Sequence, residues 1–132
     1  VETLLKEGNK VILVYPIPEV GWNVPKKIFN YFPKNIFSYN NYDSLPEDFL
    51  STSYSIFLSR SKSSFDLLDS IVHNNVYRIY PHELFCNNYL KDRCISQADQ
   101  KIFYSDSSHL SVEGAKLFNE ILVKKILEIS RN

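Results

Sequence analysis

The chain has 132 residues and is 44% hydrophobic, with nine Tyr and nine Phe, which is material for one ordinary domain around one core. Fifteen basic residues balance fifteen acidic ones, so the basic excess that holds phosphate backbones or anionic membrane surfaces is missing, and nucleic acid is not an expected partner. No apolar run approaches the roughly 20 residues that span a bilayer, and no signal peptide is visible.

The first residues, VETLLKEGNK, read as the back end of a helix stopped at Gly8-Asn9. A chain that opens in mid-helix and contains no Met suggests that residues 1–132 are a single domain lacking what came before it. KVILVYPIP (10–18) reads as a strand covered on both faces, ended by prolines. Residues 19–50 show no sustained period and are punctuated by Pro25, Pro33 and Pro46. So long a stretch is either a functional excursion or hides a short helix around 26–31. A helical stripe follows in Tyr54, Phe57, Leu58, Phe65, Leu68, Ile71 and Val72, capped by Ser51, Thr52 or Ser53 and leaving through HNN at 73–75. VYRIYP (76–81) is a second strand, 82–99 a polar loop with both cysteines, and KIFY (101–104) a third strand. A last helix over about 112–129 buries Ala115, Phe118, Ile121, Leu122, Ile126 and Ile129. This order predicts an α/β fold with a mostly parallel sheet. Ligands in such folds sit beyond the carboxyl ends of the strands, here at 15–22, 80–86 and 105–110.

The third of these places holds YSDSSHLSVEGAK (104–116). A serine nucleophile needs an imidazole to take its proton, and the imidazole needs a carboxylate to fix its tautomer. Residues three apart meet in a tight turn, so Asp106 can reach the Nδ1 side of His109 and leave Nε2 facing outward. Ser111 is placed to cap the helix through the Gly114 N–H, with Glu113 favourable in the first turn. Gly114 leaves room for a close backbone approach. The same residues also read as a plain helix entry with His109 on the surface.

Cys86 and Cys94 admit three readings: a disulfide stapling the loop in an oxidising compartment, metal ligands together with His82 and one more group, or two free thiols. His73 ends a helix, where an imidazolium meets the dipole favourably. His82 reads as a solvated loop residue that can also line the cleft. Arg60 either forms a salt bridge or faces substrate. Trp22, Tyr39 and Tyr42 are candidates for stacking on a sugar ring, or pack their loop down.

YSDSSHLSVEGAKLF resembles the Asp-x-x-His block that precedes the last helix in the SGNH hydrolase superfamily. Its His-Leu-Ser and Gly-Ala are similar to the C-terminal SGNH domain of bacterial membrane acyltransferases of the acyltransferase-3 type, which O-acetylate lipopolysaccharide or other surface glycans. LLKEGNKVILVYPIPEVGWNVPK, FLSRSKSSFDLL and VYRIYPHELFCNNYLKDRC resemble further segments of that subfamily in the same order. The resemblance implies a three-layer α/β/α, flavodoxin-like fold with a mostly parallel sheet, of which this chain is the C-terminal portion. It implies acyl transfer with Asp106 orienting and His109 as base, paired Cys86 and Cys94, and no metal or nucleotide cofactor. The implied setting is a periplasmic domain of an inner-membrane protein, with an acylated or acyl-accepting glycan and a membrane acyltransferase domain as partners. The superfamily's Gly-Asp-Ser nucleophile block has no counterpart in the chain, whose only glycines are Gly8, Gly21 and Gly114. The 132 residues alone are therefore expected to be inactive. The rival readings are a secreted SGNH esterase and a non-catalytic domain that binds glycan or docks the acyltransferase.

Overall fold

In a computed structural model describing residues 1–32, 45–46 and 48–131, the first helix, α1 (Glu2–Lys6), stops where the sequence signals it. Gly8 takes φ +79°, its N–H bonds the carbonyl of Leu5, and that of Asn9 bonds Leu4. This pair of bonds satisfies carbonyls the helix leaves open and needs a residue without a Cβ at the turn. The chain then enters β1 (Val11–Val14), which pairs in parallel with β3 (Val76–Ile79), in register from Val11 against Val76 to Val14 against Ile79. Leu5, Leu13, Tyr15 and Val76 are buried there, with Phe65, Leu68 and Ile71 packed against them.

Between these strands lie α2 (Val24–Tyr31), β2 (Thr52–Ser53) and α3 (Tyr54–Asp69). α2 extends the short helix expected around 26–31; Asn23 caps it by accepting from the Lys26 N–H, and Pro25 sits in its first turn, where a missing N–H costs nothing. Of the three candidate caps for α3, Ser53 is the one whose side chain accepts from the helix, at Ile56 N–H. Beyond β3 comes a single 3₁₀ turn, Pro81–Leu84. The cysteine loop then forms β4 (Arg93–Cys94), antiparallel to β2, and β5 (Gln97–Ala98), antiparallel to β6 (Lys101–Ile102). α4 (Val112–Ser130) closes the chain.

The arrangement is α/β with a small parallel sheet, and three sequence readings are corrected. KIFY is not a third parallel strand: only Lys101 and Ile102 pair, antiparallel, with the preceding β5. Phe103 and Tyr104 are buried because they enter the largest core cluster, with Phe85, Ile95, Val20, Val24, Ile28 and Phe32. Two adjacent buried aromatics thus imitate a doubly covered strand without forming one. Of the α3 stripe, Phe57 is buried, whereas Leu58 is exposed and Val72, past the helix end, is 87% exposed. Of the predicted α4 face, Ile129 is buried, Ala115, Phe118, Ile121 and Leu122 are half-buried, and Ile126 is exposed. No helix among the described residues is long and apolar enough to cross a membrane.

Candidate active site

The turn between β6 and α4 is built almost wholly from its own atoms. Tyr104 and Leu110 form an antiparallel bridge, and the Ser105 N–H and hydroxyl both donate to the His109 carbonyl, at 2.9 and 3.2 Å. Inside this loop the Asp106 carboxylate works in two directions. Its Oδ1 accepts the backbone N–H groups of Ser108 and His109, each at 2.8 Å, the pattern by which Asp replaces a backbone partner in a turn. Its Oδ2 lies 2.7 Å from His109 Nδ1. The carboxylate can only accept there, so in the neutral imidazole the proton sits on Nδ1 and the lone pair on Nε2. The ring is 79% exposed and the carboxylate 40%.

The three hydrogen bonds favour the ionised carboxylate, and they hold Asp106 down at about 2, the Ser108 and His109 N–H groups contributing first and the imidazole after them. Asp106 is therefore a fixed anion across neutral pH.

Two attachments give the turn a rigid base. Ser111 caps α4, its hydroxyl accepting from Gly114 N–H at 3.2 Å while donating to the Ile102 carbonyl. A Cβ on Gly114 would stand 2.2 Å from the Phe103 carbonyl oxygen, so the close approach expected of this glycine is made by Phe103. On the other side, Val20 N–H donates to the Ser107 carbonyl (3.0 Å) and Val24 N–H to that of Asp106 (3.3 Å). The latter satisfies one of the N–H groups that the start of α2 leaves open. The segment after β1 is thereby laced to the segment after β6, a contact that no local motif announces.

The other sequence candidates separate. Cys86 and Cys94 are joined in a disulfide, so neither is a metal ligand. His82, expected in solvent, is buried within a cage of Tyr54, Phe57, Phe65 and Tyr80, ring centroids 5.3–6.0 Å away. Its Nδ1 has no hydrogen-bond partner among the described residues, and burial pushes the imidazole below its ordinary value, Glu83 opposing. The correction has a plain cause: Pro81 starts a 3₁₀ turn that swings residue 82 inward rather than letting the strand run on into solvent. His73 stays exposed and accepts from Asn75 N–H. Trp22 and Arg60 line one cleft of about 630 Å³, which also takes in Arg93. Arg93 was not legible as a site residue, since only the β2–β4 pairing brings it there. Tyr39 and Tyr42 lie outside the described residues.

A family model described as "SGNH domain (fused to AT3 domains)" matches residues 1–124. No curated protein and no solved structure matches.

Proposed function

This chain belongs to the SGNH domain family that occurs fused to AT3 domains, and from that premise we propose that it supplies the base half of a serine acyl-transfer site acting on a bacterial cell-surface glycan such as lipopolysaccharide O-antigen. The observation that carries the reading is the 2.7 Å contact between Asp106 Oδ2 and His109 Nδ1, beneath a ring whose other nitrogen is open to solvent.

In this reading His109 Nε2 takes the proton of a serine hydroxyl as the oxygen attacks an acetyl ester. The imidazolium, stabilised by the Asp106 anion, returns the proton to the departing oxygen and leaves an acyl-serine. Nε2 then accepts a proton from a sugar hydroxyl or from water as that oxygen attacks the acyl carbon, and gives it back to the serine. A sugar acceptor makes the reaction transfer; water makes it ester hydrolysis. The fusion to AT3 domains favours transfer, with the membrane domain of the same parent chain delivering the acetyl group. The serine and the oxyanion donors are contributed by the parent protein outside these 132 residues, completing a three-layer α/β/α domain. No metal or nucleotide enters any step. The Cys86–Cys94 disulfide supports a periplasmic location, since such bonds persist in oxidising compartments.

The test replaces His109→Gln in the full-length protein and measures acetyl transfer to glycan. A fall of about 10²–10⁴-fold with unchanged folding is expected. Undiminished transfer would show that the domain only binds or docks, and the acyl-transfer reading would be abandoned.

A further inference from the structure

Pro16 and Ile17 lie just past Tyr15, which follows β1, and form one wall of the 630 Å³ cleft, which therefore lies beyond the carboxyl end of a parallel strand, where α/β folds take ligands. Asp106 and His109 do not line it. Val20 does, and its N–H holds the Ser107 carbonyl, so one backbone segment carries the cleft on one side and the dyad on the other.

The charge in this cleft is uneven: two guanidinium groups, Arg60 and Arg93, against one carboxylate, Glu19. Arg93 is clamped. Its Nε donates to the Ser51 hydroxyl at 2.9 Å and its Nη2 to the Ser51 carbonyl at 2.7 Å. Five N–H donors make up a guanidinium, so most of the fork remains for a ligand. Arg60, on the exposed part of α3, makes no ion pair with a described residue. Trp22 and Thr52 also line the cleft; each keeps a polar atom buried away from it with no hydrogen-bond partner among the described residues. Trp22 adds an aromatic surface of the kind that packs against sugar rings. The volume suits two or three sugar units rather than a single small ion.

We propose that the cleft binds a saccharide bearing an oxyanion substituent, a uronate carboxylate or a phosphate, with Arg60 and Arg93 on the anion and Trp22 against a ring. The saccharide part rests on the glycan reading above; the preference for negative charge rests on the two arginines alone. Both are suited to a planar, bidentate grip on carboxylate or phosphate.

The experiment is calorimetric titration of the full-length protein with trigalacturonate, with neutral galactotriose and with glucose 6-phosphate. At least one acidic probe should bind about tenfold or more tightly than galactotriose, an advantage that shrinks in high salt and is lost in Arg60→Gln. Trigalacturonate ahead of glucose 6-phosphate assigns the anion as a uronate, and the reverse order as a phosphate. Equal affinity for the neutral and acidic probes, no binding of any probe, or an acid preference that survives Arg60→Gln would overturn the proposal. His109→Gln run in parallel should bind like the wild type. Arg60-dependent binding in a protein without acetyl transfer would remove the acyl-transfer reading and keep this one; transfer without charge selectivity would do the opposite.

Discussion

The dyad turn and the cleft differ in how far apart in sequence their parts lie. In the turn, Asp106 meets Ser108 and His109 across two and three residues, and Ser111 meets Gly114 across three. In the cleft, Arg93 reaches Ser51 across 42 residues, and next to it Ser96 reaches the Leu50 carbonyl across 46. The turn is a local object whose geometry follows from residue types at fixed spacing. The cleft exists only because β2 pairs with β4 and the disulfide holds the loop between Cys86 and Cys94. Perturbing the long-range pairings should therefore damage the cleft before the turn, and changes in the turn should alter chemistry without unfolding anything.

The largest effect expected is on chemistry. Asp106→Asn keeps an oxygen for the Ser108 and His109 N–H groups but puts an NH₂ group, or a weaker acceptor, against Nδ1. Acetyl transfer should fall about 10³–10⁴-fold through loss of the correct tautomer, with only a modest drop in the unfolding midpoint, because the carboxylate is part-exposed and the asparagine oxygen still accepts the two N–H groups. A large loss of stability instead would show that the turn is not self-sufficient. Because Asp106 titrates near 2, a carboxyl resonance followed by NMR should stay in its ionised form down to about pH 3. The sign follows from linkage: a native carboxylate held below its ordinary value contributes stability above that value, lost only as the pH falls through 2.

Next in size is the staple. Replacing both Cys86→Ala and Cys94→Ala should cost about 2.5 kcal/mol by loop-closure entropy, measured by denaturant unfolding. It should also weaken saccharide binding more than it shifts the Asp106 resonance, which sharpens the contrast between the regions. Gly114→Ala comes third. Alanine favours a helix over glycine by about 1 kcal/mol, but its Cβ meets a carbonyl that already accepts the Ser111 N–H at 2.9 Å. The clash should win, leaving the protein about 1–3 kcal/mol less stable. A stabilised variant would mean that Phe103 and α4 can move apart freely.

The smallest effect is a pH dependence from His82. Its native value is depressed by burial, so below about pH 6.5 the unfolded chain takes a proton that the folded chain resists. Stability should be full above that pH and decline as the pH falls through the lowered native value. His82→Phe, which keeps an aromatic ring inside the cage, should flatten this part of the stability curve in thermal unfolding measured from pH 7 to 5.

Where sequence reading failed, it failed at long range. The stop after α1, the cap of α4 and the place of Gly114 were all legible, because caps and turns are decided by neighbours within one helical turn. KIFY was misread because adjacent burial of Phe103 and Tyr104 has the same pattern whether strands or core side chains do the covering. His82 was misplaced because the Tyr54, Phe57 and Phe65 rings that enclose it belong to a helix that begins 28 residues earlier.

The chain's own order of residues settled where α1 stops and where α4 starts, though not that α3 ends at Asp69 rather than at 73–75. It also settled the two paired strands, and a carboxylate three places before an imidazole in a loop too tight to keep them apart. Tertiary structure alone decided that Val20 and Val24 grip that loop from below, that two distant arginines share a cleft, and that one histidine is sealed while another stands in water. The division has one physical reason. Hydrogen bonds across a few residues depend on backbone geometry that local side chains dictate, whereas burial depends on which remote surfaces meet.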